Sequence, residues 1–208
     1  MTLRHALLAL LSSAPMTGYD VAKKFASSVG HVWHAANSQI YPELRKMERE
    51  GLVDTRDVPW GSKGETKTEY AINDRGLQAL REWQREPMAY VADRDPARLK
   101  AAYLEWGTPE SAESFLREHI SHFKAQRRQA LDEMKRIEAG MNPTLVRRLE
   151  DTPEAAREKV TAFKRFAYEG RVLQAEAEIE WAERGLEMLE KLTDLPGPPA
   201  DGVAPGGD

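Results

Sequence analysis

Along the first third of the chain the spacing of apolar residues changes from helical to alternating and back. Leu3, Leu7, Leu10 and Leu11 recur at helical spacing, and Ser-Ser-Ala-Pro at 12–15 breaks the stripe. Thr17 is placed to cap a second helix, Gly18–Val29, with Tyr19, Ala22 and Phe25 on one side. A connector, 30–37, leads to a third helix from Ser38 to Glu50. Its inward stripe is Ile40, Leu44 and Met47, and Gly51 is a natural C-cap. Then the period falls to two. Leu52–Val58 and Thr66–Ile72 read as strands around a polar tip, with Thr66, Thr68, Tyr70 and Ile72 on one face of the second. Asn73 or Asp74 caps a fourth helix that carries Leu77, Leu80 and Trp83.

Helix, helix, helix, hairpin, helix is the order of a winged helix-turn-helix, over residues 1–86. Beyond it the pattern is helical only. Asp95-Pro96 starts a helix over Asp95–Trp106, and Thr108-Pro109-Glu110 starts another that runs to about Ala139. Its seam is Leu116, Ile120, Phe123, Ala130, Met134 and Ile137. Gly140 and Asn142-Pro143 end it. Thr152-Pro153-Glu154 starts a last helix to Leu192, with Phe163, Ala167, Gly170, Ala177, Trp181 and Met188 along it. The fold class expected is mainly α with a small β-wing: an N-terminal winged helix-turn-helix and, over 87–195, a C-terminal long-helix dimerisation domain. Helices this long seek partners outside a small domain, here a second copy of the chain. Leu116, Ile120, Phe123, Phe163, Trp181 and Met188 are the residues expected in that homodimer. The end, 196–208, holds four Pro and four Gly among polar residues and reads as disordered.

Composition narrows the classes. The net charge of −4 disfavours nucleic acid only until it is divided. Residues 1–85 hold 12 Lys/Arg against 10 Asp/Glu, whereas 86–208 hold 18 against 24. A DNA binder needs a local basic face, and the N-terminal part has the favourable balance. There is no cysteine, hence no disulfide framework or thiolate chemistry. No apolar run approaches the ~20 residues of a membrane span. Ala6–Leu11 reads as a core helix and not a signal peptide, so no membrane partner is expected and the location is cytoplasmic. No glycine-rich phosphate loop and no nucleophile with a base stand out, so neither an enzyme nor a cofactor is expected. Glu176, Glu178, Glu180 and Glu183 fall on more than one face of the last helix and read as solvent-side charge. His31-x-x-His34 and His119-x-x-His122 fall short of the three or four ligands zinc wants. The five tryptophans read as core or interface. Tyr90, Tyr103 and Trp106 lie in the stretch joining the two parts, where a flat aromatic effector could stack.

The third helix carries the sharpest chemistry. In a helix-turn-helix the second helix of the motif enters the major groove, with its N-terminal residues at the base edges. Ser38 and Gln39 can hydrogen-bond to bases or phosphates, Tyr41 can reach a phosphate, and Arg45 guanine or phosphate. Lys46, and Lys63 and Lys67 of the wing, suit phosphates. Pro42, at or just past the fourth helical position, costs at most one backbone hydrogen bond and stiffens the turn. A charged helix face is by itself more often a solvated face. A protein–protein module, or a sensor without DNA binding, are the rival readings.

Ile40-Tyr41-Pro42-Glu43-Leu44-Arg45-Lys46-Met47-Glu48-Arg49-Glu50-Gly51-Leu52-Val53 resembles the hallmark segment of the PadR family of transcriptional regulators. Thr17-Gly18-Tyr19-Asp20 and Tyr70-Ala71-Ile72-Asn73-Asp74-Arg75-Gly76 are similar to further family segments. The tail resembles that of long-tailed members like the virulence activator AphA. The resemblance implies a bacterial homodimer joined by C-terminal helices that binds an inverted repeat in double-stranded DNA, more often as repressor than as activator. It carries DNA contact over to Gln39, Tyr41, Pro42, Arg45 and Lys67. Asn37-Ser38-Gln39 departs from the Gly-Thr-Leu of many members, so the operator cannot be borrowed.

Overall fold

The computed structural model describes residues 3–27, 35–61, 64–89 and 94–192. The order is α1 (Leu3–Leu11), β1 (Met16–Thr17), α2 (Gly18–Ser27), α3 (Asn37–Arg49), β2 (Val53–Trp60), β3 (Glu65–Ile72) and α4 (Asp74–Arg85). There follow α5 (Pro96–Ala101), a 3-10 turn (Leu104–Trp106), α6 (Pro109–Glu138), α7 (Pro143–Glu150) and α8 (Glu154–Leu192). The chain divides into two compact units, 1–89 with 136–164 and 90–135 with 165–208.

In the first unit the three leading helices close on one core. Leu7, Leu8, Leu10 and Leu11 of α1 meet Val21 and Phe25 of α2 and the Ile40, Leu44 and Met47 stripe of α3. Each such side chain removed from water contributes ~1.5–3 kcal/mol. Tyr19 is not part of this stripe: it is 54% exposed, and Val21 takes the inward position instead. β3 is the middle strand of an antiparallel sheet ordered β1-β3-β2, with Val53 opposite Ile72 and Trp60 opposite Glu65. The strands run on through Pro59 and Trp60, further into the tip than alternation alone suggests. Pro59 is tolerated because β2 is an edge strand, where a missing N–H breaks no ladder on the open side. The two-residue β1 escapes sequence pattern altogether, since only its pairing of Met16 with Tyr70 defines it. Asn73, not Asp74, caps α4 by accepting from the Gly76 N–H at 3.1 Å. His5 stacks on Trp83 at 5.0 Å, and burial lowers the imidazole's pKa.

The same unit takes in the end of α6, α7 and the start of α8. The Asn142-Pro143 pair that ends α6 also starts α7. The buried Asn142 side chain accepts from the Leu145 N–H at 2.9 Å, with Pro143 at the first helical position.

In the second unit the expected helix over Asp95–Trp106 is shorter: α5 stops at Ala101 and a 3-10 turn follows. Asp95 caps α5 by accepting from the Arg98 N–H at 2.9 Å. Leu116 and Ile120 of α6 pack on Ile179 and Ala182 of α8, flanked by Phe115, Phe123 and Trp181. The cluster is tight at Gly185, where a Cβ would stand 3.1 Å from the Leu116 side chain. Glu178 is not solvent-side charge. It accepts from Arg98 and lies 3.0 Å from His119 Nε2, with its side chain 15% exposed. Burial raises the Glu178 pKa, but the hydrogen bonds and charges of Arg98 and His119 outweigh it and hold the carboxyl below its ordinary range. Deeper in the helix pair Tyr168 is almost fully buried, and burial with the nearby Glu133 charge pushes its hydroxyl up to about 12. No helix among the described residues is long and apolar enough to cross a membrane.

Candidate functional site

The geometry of α3 follows from its two ends. It begins at Asn37, one residue before the expected Ser38, with Ala36 as N-cap. Ala36 has no side chain to cap with, and Gln39 compensates: its Oε1 accepts the Ala36 N–H at 3.2 Å. Gln39 is itself exposed. At the other end the Leu52 N–H reaches the Met47 carbonyl and the Gly51 N–H the Glu48 carbonyl, both at 2.9 Å. That Schellman closure requires the left-handed φ of +68° at Gly51. The earlier start makes Pro42 the sixth helical residue, in the second turn rather than the first. It removes the bond that the Ser38 carbonyl would otherwise accept.

With Ile40, Leu44 and Met47 fixed inward, helical spacing sends Ser38, Pro42, Arg45 and Arg49 to the opposite side. All four are exposed, as are Gln39, Tyr41 and Lys46. The acidic residues of α3 are drawn back onto the domain. Arg4 of α1 pairs with Glu43 at 2.9 Å and with Glu50 at 2.5 Å. Thr55 of β2 donates to Glu48 at 2.8 Å. Arg45, Lys46 and Arg49 have no ion-pair partner among the described residues. A segment whose sequence reads as mixed charge therefore presents cations outward. Arg49 is the residue that sequence reasoning passed over. Its spacing of four from Arg45 was the available signal.

Tyr41 lies over Gly18 at the start of α2, where a Cβ would come within 2.8 Å of its ring, and it neighbours Tyr70. Burial and the Glu48 charge raise the Tyr70 hydroxyl pKa, while Arg45 acts the other way. Lys67 of β3 lies over the Trp60 ring and 5.1 Å from the Tyr19 ring centroid. Lys63 lies outside the described residues, as do His31, Trp33, His34, Tyr90 and the tail over 196–208.

Of the residues expected in the dimer, Leu116, Ile120, Phe123 and Trp181 belong to the cluster within the second unit. His119 is held inside that cluster too, against Phe123 and Trp181. Phe163 and Met188 remain exposed, at 64% and 48%. They share α8 with further large exposed side chains not singled out from sequence, among them Phe166 and Leu173. Phe163, Phe166, Gly170, Leu173 and Ala177 follow one another at alternating steps of three and four, a single stripe. Tyr103 and Trp106 are exposed as well. No group of three or more potential metal ligands is found among the described residues.

Comparison with known proteins bears on the family and the fold. Residues 7–82 match the model of the transcriptional regulator PadR-like family. The chain is 33% identical over 130 residues to the negative transcriptional regulator PadR of Bacillus subtilis, covering 62% of this chain and 68% of that protein. It is 27% identical over 197 residues to the "Probable transcriptional regulator Rv1176c" of Mycobacterium tuberculosis, covering 92% and 99%. The fold matches crystal structures of Bacillus subtilis PadR at 24% identity, over 90% of this chain and 98% of that one. The TM-score is 0.67 for its complex with operator DNA and 0.65 for its complex with p-coumaric acid. The Vibrio cholerae virulence activator AphA matches with a TM-score of 0.59 at 27% identity, over 92% and 99% of the two chains.

Proposed function

The chain belongs to the PadR-like family of transcriptional regulators, and from that premise we propose that it is a homodimeric repressor that grips an inverted repeat in its operator. Residues 1–86 supply the DNA-binding domain and 87–195 the dimerisation domain, and the protein acts in the cytoplasm. The carrying observation is the division of charge on α3: its acids are tied to α1 and β2, and Arg45, Lys46 and Arg49 are left to face a polyanion. In this reading Ser38 and Gln39 meet base edges, and Tyr41, Lys46, Lys63 and Lys67 meet phosphates. Pro42 stiffens the second turn. Arg45 reads guanine or phosphate, and Arg49 takes a phosphate one turn on.

The homodimer rests on α8. An exposed stripe with Phe163, Phe166 and Leu173 costs free energy in water that a second copy relieves, and Gly170 lets two backbones come close. Bacillus subtilis PadR, whose structures include one with p-coumaric acid, supports a flat aromatic effector here too. The exposed Tyr103 and Trp106, with Tyr90, are the candidate surface for it. Such an effector must bind the DNA-free arrangement better than the DNA-bound one to release the operator.

The test is fluorescence anisotropy with a DNA fragment enriched from the source genome. Native binding is expected to weaken steeply as salt rises. Arg45→Ala should weaken it roughly tenfold or more, with the dimer unchanged in sedimentation. Equal binding by native protein and Arg45→Ala would remove α3 from the DNA and favour a protein partner for the winged helix.

A further inference from the structure

Lys67 is a wing cation, but it does not stand free. Strand register puts Val58 opposite Lys67 and Trp60 opposite Glu65, so Trp60 and Lys67 are diagonal neighbours on one face of the hairpin. The ammonium lies over the Trp60 indole on one side and 5.1 Å from the Tyr19 ring centroid on the other. Tyr19 belongs to the first turn of α2, just past the point where Thr17 pairs with Glu69. Both rings are about half exposed, at 54% for Tyr19 and 49% for Trp60, so neither is held there by burial in the core. A cation between two π-faces is attracted by both quadrupoles, and the attraction grows as water is excluded. Among the described residues, the other side-chain tie between these strands on that face is the Arg56–Glu69 pair at 2.6 Å, nearer the base of the hairpin.

We propose that Tyr19 and Trp60 are positioning residues for DNA binding: with Lys67 they form an aromatic–cation brace that fixes the outer half of the wing against the start of α2. Tyr41 already lies on Gly18 in that same turn of α2. The brace thus sets the wing in register with the first turns of α3, and the wing reaches its operator phosphates without first being ordered. This rests on the DNA-binding reading given above.

Two measurements on the full-length protein test it. In the free protein, with lysine labelled with carbon-13 at Cε, the Lys67 Hε signal is identified by its loss in Lys67→Met. It should be shifted upfield by the ring currents of Trp60, return to the ordinary lysine position in Trp60→Leu, and stay shifted in Trp60→Phe. An unshifted native signal overturns the brace, whether or not DNA is bound. The second measurement is operator affinity in a double-mutant cycle. Trp60→Leu and Lys67→Met should each weaken binding about fivefold or more, the double variant should lose little beyond the worse single, and Trp60→Phe should restore most of the loss. Additive losses would mean that the two side chains act separately and would overturn the positioning role. A native protein that binds no DNA defeats the DNA-binding reading and the positioning role with it, while the carbon-13 signal still tells whether the brace exists.

Discussion

The winged-helix core and the long helix α8 satisfy their apolar residues in opposite ways. Around α3 every large inward side chain is closed off within the chain: Leu7, Leu8, Val21 and Leu44 are 0% exposed. On α8, Tyr168, Ala175, Ile179 and Ala182 are buried, yet Phe163, Phe166 and Leu173 on another side are between 61% and 70% exposed. The first arrangement has the features of a core that is complete in one chain. The second has one face satisfied and one face left over. The difference teaches that the same apolar periodicity has two meanings, and that burial separates them. In the proposed function the closed core holds α3 rigid for DNA, and the open stripe joins two such cores.

The comparison can be broken in five places, taken from the largest effect. Phe166→Asp with Leu173→Asp puts two carboxylates on the open stripe. If that stripe is the dimer seam, a variant with native helical circular dichroism should sediment as a monomer, an effect of several kcal/mol on assembly. An unchanged dimer would place the seam elsewhere. In the closed core Leu44→Ala should cost about 3 kcal/mol of unfolding free energy in urea titration, because the fully packed site cannot collapse around the lost methyls. A loss under about 1 kcal/mol would mean that the core is looser than its burial indicates.

Arg45→Ala should leave both regions folded and the dimer intact, and weaken operator binding by roughly 2 kcal/mol. Arg49→Ala should cost less and lower the salt slope by about one if it holds a phosphate. The smallest effect belongs to Glu178. Its folded pKa lies below the unfolded value, so its contribution to stability is present above the unfolded pKa and is lost as pH falls through the folded one. Glu178→Gln should therefore be less stable than native at pH 7 by about 1 kcal/mol, with the gap closing in acid. A gap that does not close would mean that packing, not charge, gives Glu178 its value.

The sequence made some of this legible and not the rest, for physical reasons. Local rules wrote α1, α3, the hairpin and α8 plainly: stripes of Leu, a Gly at the C-terminus of α3, alternation, and a Thr-Pro-Glu start that α8 follows from Glu154. The family segment from Ile40 to Val53 was equally plain, and the family relationship stands with it. What depends on a distant partner was hidden. β1 exists only through its pairing with β3, and α7 lay behind an Asn-Pro pair that serves as both a stop and a start. Periodicity marked Leu116, Ile120 and Trp181 as seam residues, but it does not say which neighbour covers a seam, and α6 and α8 cover these within the chain. At the site, Arg45 was visible as a cation on an outward face. That Glu43, Glu48 and Glu50 are drawn away from it depends on Arg4 and Thr55, which lie on other elements. Tyr19 read as core because its spacing fits. Val21 takes the inward position instead, and Tyr19 lies exposed with Lys67 5.1 Å from its ring centroid.

The most direct test is to select sheared genomic DNA of the source organism with the purified protein and to footprint the enriched fragments at two salt concentrations. The account predicts a protected inverted repeat, with half-site centres about one helical turn or a multiple of it apart, and protection that fades at the higher salt. Enrichment of no sequence, or weak binding to every fragment alike, would contradict it.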